Sequence, residues 1–139
     1  MRLINNPQLP GKRTGLNQAF ASIISNTEVM PGVHLIWLES PQIATEAKPG
    51  QFAMVRCGEE TLLRRPLSIH QLAGDTKLAF LFTMAGKGTH WLSQCQVGNN
   101  IDLLGPLGNG YSIHPASHNL LLLAGGIVLP HYASWLRKP

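Results

Sequence analysis

The chain has 139 residues, 44% hydrophobic and 13% charged. That is enough for one packed domain, too little for two, and unlike a disordered chain. Its formal charge of +4 sits in the ends, because no acid precedes Glu28 or follows Asp102 and between them six bases face seven acids. This placement argues against a nucleic-acid-binding surface, and two cysteines exclude a disulfide framework or a four-thiolate cluster.

Residues 1–15 hold Pro7, Pro10, paired asparagines and Lys12-Arg13 without periodicity, and read as a flexible extension. They lack the apolar core of a signal peptide, so the expected location is cytoplasmic, with no membrane partner. From Gln18 onwards short apolar segments alternate with turn signals, the pattern of an all-β barrel or sandwich. Strands are expected over 18–25, 33–39 (after Met30-Pro31-Gly32) and 51–57 (after Pro49-Gly50), with 40–48 as a loop. Gly58-Glu59-Glu60 then turns the chain towards residues 63–70, and Gly74-Asp75 forms a hairpin turn into 77–84. Pro66 inside the fourth strand points to an edge or a bulge there. Thr89 is expected as the N-cap of a short helix over 90–94, followed by a sixth strand over 101–104 and a glycine-rich loop from Gly105 to Gly110.

The run Leu120-Leu121-Leu122-Leu123-Ala124 differs in kind. A continuous apolar stretch followed by Gly125-Gly126 reads as a parallel strand covered on both faces, opening a nucleotide-binding α/β unit. Such a unit needs about 30 residues, so residues 116–139 are expected to be its truncated start.

The chemistry concentrates in two places. In Leu62-Leu63-Arg64-Arg65-Pro66-Leu67-Ser68-Ile69, two guanidinium groups, a proline and a hydroxyl interrupt an apolar strand. Arginine offers a planar fork of donors that matches phosphate oxygens. Eighteen residues after Ser68, Gly86-Lys87-Gly88-Thr89 opens a helix, where backbone N–H groups, a hydroxyl and the positive dipole end can face an anion. Arg65 with Gly88 and Thr89 thus forms a candidate pyrophosphate clamp, and Lys87 adds a diffuse charge. Strand alternation puts Ser68 on the side opposite Arg65 unless Pro66 bends the chain. The competing reading is a solvated arginine pair beside an ordinary glycine turn. Arg64 itself reads as a flanking surface charge.

Cys57 and Cys95 read as small core hydrophobes. His114 and His118 bracket Pro115, which rules out a regular helix presenting both to a metal. No Ser/His/Asp or paired-carboxylate arrangement supports hydrolysis.

The order of these pieces resembles the FAD-binding domain of the ferredoxin-reductase superfamily, in the form found in electron-transfer subunits of type B dihydroorotate dehydrogenase. The segments that carry it are Pro49-Gly50-Gln51-Phe52, LLRRPLSI from Leu62, GKGTHWL from Gly86, GPLGNGY from Gly105 and LLLAGGI from Leu121. The resemblance implies a six-stranded antiparallel Greek-key barrel with one short helix over 16–115, followed by the first strand of a nicotinamide-nucleotide domain. It implies FAD as cofactor, with Arg65 on the pyrophosphate, Pro66, Leu67 and Ser68 along the isoalloxazine, and Gly88 and Thr89 on phosphate. Leu67 stands where many relatives stack a tyrosine on the flavin. Leu81, Phe82 and Thr83 occupy a cofactor-contacting position where the subunits often carry an aliphatic residue, a tyrosine and an arginine. The missing phenol and guanidinium imply a lower FAD affinity, since a charged hydrogen bond typically contributes about 1.5–3 kcal/mol.

The family's 2Fe–2S cluster is not expected in this chain, whose cysteines do not supply it, and NAD(H) binding is not expected either. The implied function is electron relay between a flavin and redox partners in pyrimidine biosynthesis, above all a catalytic dihydroorotate dehydrogenase-type subunit. The alternatives are a split product whose Leu120–Leu123 run needs a partner chain, and a small barrel serving only as a binding module.

Overall fold

The computed structural model describes residues 17–59, 62–121 and 123. Six strands form there: β1 (Asn17–Met30), β2 (Val33–Glu39), β3 (Phe52–Val55), β4 (Arg65–Ala73), β5 (Lys77–Thr83) and β6 (Asn100–Leu107). All pair antiparallel and close into a barrel in the order β1-β2-β5-β4-β3-β6. The expected all-β barrel is therefore the fold.

Period-two alternation sets the inner face. Ile36 and Leu38 of β2, Leu78, Phe80 and Phe82 of β5, and Ile101 and Leu103 of β6 are all within 2% of full burial and share one core with Val55 and Ile69. Each such side chain contributes roughly 1.5–3 kcal/mol when buried. A one-residue register slip would turn a whole inner face to water, so the pairing is strongly specified.

Strand bounds differ from the sequence reading where one strand serves two neighbours. β1 runs on to Met30 because its first part, from Asn17 to Ser22, pairs with β6 and the remainder with β2. Register shifts after Ile23 and after Glu28 bend it between the two. β6 continues past Leu104 to Leu107, so part of the expected glycine-rich loop is strand.

The expected loop over 40–48 contains a single helical turn, α1 (Pro41–Ala44), with proline at its start. Ile43 is fully buried and Ala44 nearly so, and α1 packs at the end of the barrel where β2 finishes and β1 and β5 begin. At the opposite end lies α2 (Lys87–Ser93). Its Leu92 enters the core, and Asn26 of β1 donates to the carbonyls of Leu92, Ser93 and Cys95 at 3.0, 3.3 and 2.9 Å. Leu92 and Ser93 are in the last turn of the helix, whose carbonyls have no i+4 amide to accept from, and Cys95 follows it.

Two of the quoted motifs prove to be one structure. Gly50 has φ +89°, and an added Cβ would stand 2.7 Å from Cδ2 of Tyr111. The Tyr111 amide donates to Pro49 O at 2.9 Å, and the Gln51 side chain donates to Gly108 O at 2.8 Å. The Pro-Gly-Gln turn and the loop after β6 are therefore recognised by each other.

Leu120, Leu121 and Leu123 carry no strand pairing and are 51%, 80% and 76% exposed. A doubly covered strand needs a neighbour on each side, and no described strand pairs with them. The rest of that expected strand, the expected extension over 1–15 and most of 116–139 lie outside the described residues.

Candidate functional site

The open feature of the barrel lies between β4 and β5. Their ladder runs from Ala73↔Lys77 to Ile69↔Phe80 and stops, with a bulge at His70. Beyond it, Arg65 to Ser68 pair with β3 alone, and Leu81 to Thr83 pair with β2 alone. The Ile69 amide points to β3, donating to Gln51 O at 3.0 Å, and the Met84 amide points to β2, donating to Gly32 O at 2.9 Å. Main-chain groups alternate sides along a strand. Ser68 and Pro66 on one bank, and Leu81 and Thr83 on the other, therefore turn their backbone groups into the cleft. Pro66 sits where its missing N–H removes no ladder bond, which is the edge position expected of it.

The same alternation sorts the side chains. Pro66, Ser68 and Thr83 are exposed and Leu81 half-buried on the outer face. Leu67 is half-buried against the core instead. Phe82 is 2% exposed, its ring stacked on His34 with centroids 5.6 Å apart, inside the barrel. Its side chain thus faces the core, and its backbone, two residues before Met84, faces β2 opposite His34, so the structure turns Phe82 away from the cleft. The sequence reading treated Leu81, Phe82 and Thr83 as one unit, but a strand sends the middle residue inward.

Arg65 opens β4 at the end of the barrel covered by α2. Its stem lies over Gly88: a Cβ there would stand 3.2 Å from Arg65 Nε, 3.3 Å from Arg65 Cγ and 3.3 Å from Cys57 Cβ. Arg65 is exposed and, among the described residues, takes part in no ion pair. Among the described residues no carboxylate pairs with its cation. The structure brings Arg65, Gly88 and Thr89 together as the sequence suggested.

Thr89 has a different role from the one expected. The N-cap is Gly86, and Thr89 is the third helical residue. Its hydroxyl accepts from the amides of Ala85 at 2.8 Å and Gly86 at 3.1 Å, closing the first turn by reaching back. That hydroxyl is engaged, while the Lys87, Gly88 and Thr89 amides precede the first helical bond, from His90 N–H to Gly86 O at 2.9 Å. They have no acceptor within the helix.

Arg64 is not a flanking surface charge. Its Nη2 donates to Asp102 Oδ2 at 2.8 Å and its Nη1 to Asp102 O at 3.3 Å, reaching across β3 to β6. The two side chains are only 22% and 13% exposed. No local signal joins residues so far apart in sequence, so this pair was invisible before the fold.

Cys57 is buried beside the clamp and Cys95 half-buried, both free thiols, as expected of core hydrophobes. Burial pushes the Cys57 thiol up to about 11, against a smaller lowering by the Arg65 cation, and burial raises Cys95 too. Neither is a reactive thiolate at neutral pH.

Among the described residues, no group of three His, Cys, Asp or Glu side chains could hold a metal ion. No helix there is long and apolar enough to cross a membrane. A separate open groove of about 390 Å³ is lined by Phe20, Arg56, Gly58, Glu59, Trp91, Asn100 and Asp102, none of them expected from sequence.

This closed barrel, with helices at its ends and a cleft between β4 and β5, is the FAD-binding-domain barrel of ferredoxin-reductase-type proteins. A NADH-dependent reduced ferredoxin–NADP oxidoreductase of flavin-based electron bifurcation matches 68% of this chain and 34% of its own, at TM-score 0.63 and 32% identity. A siderophore utilization protein from T. fusca shares the fold at TM-score 0.68 and 19% identity, over 89% of this chain and 57% of its own. Within that class, the chain is kin to the electron transfer subunits of dihydroorotate dehydrogenase B (NAD(+)). The subunit from Desulforamulus reducens is 41% identical over 110 residues, which are 77% of this chain and 42% of that protein. The chain thus spans less than half the length of that relative. No protein-family model matches it.

Proposed function

We propose that this chain is an FAD-holding electron-transfer domain that works with a catalytic dihydroorotate dehydrogenase-type subunit or another redox partner. The observation that carries the reading is the Arg65 cation, packed on Gly88 and without a counter-charge among the described residues, beside a cleft with backbone groups open on both banks.

The residues fit the cofactor. Arg65 presents a donor fork to the pyrophosphate, and Gly88 leaves the room that a side chain would fill. The Gly88 and Thr89 amides add donors at the helix start. Pro66, Ser68, Leu81 and Thr83 border the isoalloxazine, with the Ser68 and Thr83 hydroxyls and the open backbone groups directed at its polar edge. Leu67 and Phe82 support the two banks from the core side. When bound, the isoalloxazine supplies the redox chemistry, and the protein binds and orients it.

Kinship with dihydroorotate dehydrogenase B electron transfer subunits supports the partner assignment. The domain reading follows the same kinship, with the barrel over 16–115 and a nicotinamide-nucleotide-binding domain beginning over 116–139.

The visible spectrum of the purified protein tests the proposal. The expected result is a yellow protein with flavin absorbance, bleached by Arg65→Ala. A colourless preparation that also fails to take up added FAD would refute it.

A further inference from the structure

We propose that Arg64 and Asp102 form a positioning device for the clamp: their ion pair ties the start of β4 to β6 and leaves Arg65 as the only arginine of the pair free to meet the anion. This inference rests on the flavin reading above.

The segment that carries Arg65 is weakly held. From Arg65 to Ser68, β4 has ladder partners on β3 only, because pairing with β5 begins at Ile69. Immediately before this segment, Arg64 crosses over β3 and grips Asp102 twice, at 2.8 Å through the carboxylate and 3.3 Å through the carbonyl. The shorter contact lies in the range of strong charge-assisted bonds, and both side chains are largely withdrawn from water.

Asp102 is itself fixed from other strands. Gln18 of β1 places Nε2 3.3 and 3.4 Å from its two carboxylate oxygens, and the Arg56 amide after β3 donates to its carbonyl at 3.0 Å. The grip on Arg64 therefore comes from a network spanning β1, β3 and β6 rather than from one mobile side chain. Such a network loses less side-chain entropy per contact than an isolated surface pair.

The charges explain why the tie matters for binding. Two adjacent guanidinium groups repel, and without a counter-charge both would compete for one phosphate. Asp102 supplies that counter-charge to Arg64 alone. Arg65 is left with its stem on Gly88 and its fork unclaimed.

The test is a double-mutant cycle read by FAD titration of the full chain, following flavin fluorescence, with the thermal midpoint of each apo variant measured alongside. Arg64→Met and Asp102→Asn should each weaken FAD binding about tenfold, the low end of what losing an outer-shell partner costs. Arg64→Lys, which keeps a cation but not the two-pronged reach, should recover part of the loss. Lys replaces Met in the cycle if the Met variant does not fold. In an Arg65→Lys background the same changes should cost less than about threefold, because the residue they position no longer offers a fork.

An equal tenfold loss in both backgrounds would overturn the inference, since Arg64 would then act independently of Arg65. So would unchanged FAD affinity in Arg64→Met. If instead Arg65→Ala binds FAD like the wild type, the flavin reading itself has failed.

Discussion

Replacing Gly88 by alanine adds one methyl group at the point where helix α2 meets the clamp. The backbone there is not left-handed, so alanine meets no conformational penalty and only contacts decide the outcome. The new Cβ would stand 3.2 Å from Arg65 Nε and 3.3 Å from Arg65 Cγ and Cys57 Cβ, a few tenths of an ångström too close. Arg65 is exposed and can give way, whereas Cys57 is buried and cannot. Alanine also favours helix over glycine by up to about 1 kcal/mol, which offsets the crowding, so the stability of the apo protein should move by less than about 1 kcal/mol. That corresponds to no more than about 4–8 °C in thermal midpoint for a domain of this size. The displaced guanidinium loses its hydrogen bond to the ligand, worth about 1.5–3 kcal/mol, so FAD affinity should fall about 10- to 100-fold. The assay is FAD titration by fluorescence, paired with thermal unfolding of the apo form. FAD affinity within twofold of wild type, in a protein whose Arg65→Ala variant does lose FAD, would refute the reasoning about this contact. A collapse of the thermal midpoint would show that the crowding falls on the core and not on Arg65.

Gly50→Ala should be far more damaging to stability, by about 1–3 kcal/mol from left-handed backbone alone, plus the clash with Tyr111, and chemical denaturation would measure it. Thr89→Val removes the hydroxyl that accepts from the Ala85 and Gly86 amides and should cost about 1 kcal/mol, read as a lower thermal midpoint. The Cys57 thiol is raised in the fold from an ordinary 9 to about 11. The folded state therefore holds its proton where the unfolded chain releases it. This contribution is full below pH 9 and is lost as pH rises through 11, so denaturation curves should show stability falling across that window and Cys57→Ala should flatten the fall.

Much of the architecture was legible because it rests on local rules. Short apolar segments punctuated by Met30-Pro31-Gly32, Pro49-Gly50 and Gly74-Asp75 announced the strands, and Pro66 announced an edge or a bulge. The closeness of Arg65 and Gly88 was suggested for a chemical reason: an arginine inside an apolar strand and a glycine turn opening a helix are each costly without a purpose. What the local rules missed were contacts between distant parts. The helical turn at Pro41–Ala44 forms because Ile43 has a barrel end to fill, which no window of sequence contains. The lengths of β1 and β6 depend on how many neighbours each strand finds.

The two arginines show the same division. Sequence alone determined that one strand carries adjacent cations, that a glycine turn follows, and that the two are of the right chemistry for a pyrophosphate. Residue type and short-range backbone preference suffice for that much. Only the tertiary structure decided which arginine is free, by bringing Asp102 of β6 to Arg64 and Gly88 of α2 under Arg65. It also turned Phe82 into the core while leaving Leu81 and Thr83 at the cleft. Charge pairing and burial depend on distance in space, and closing the barrel sets those distances.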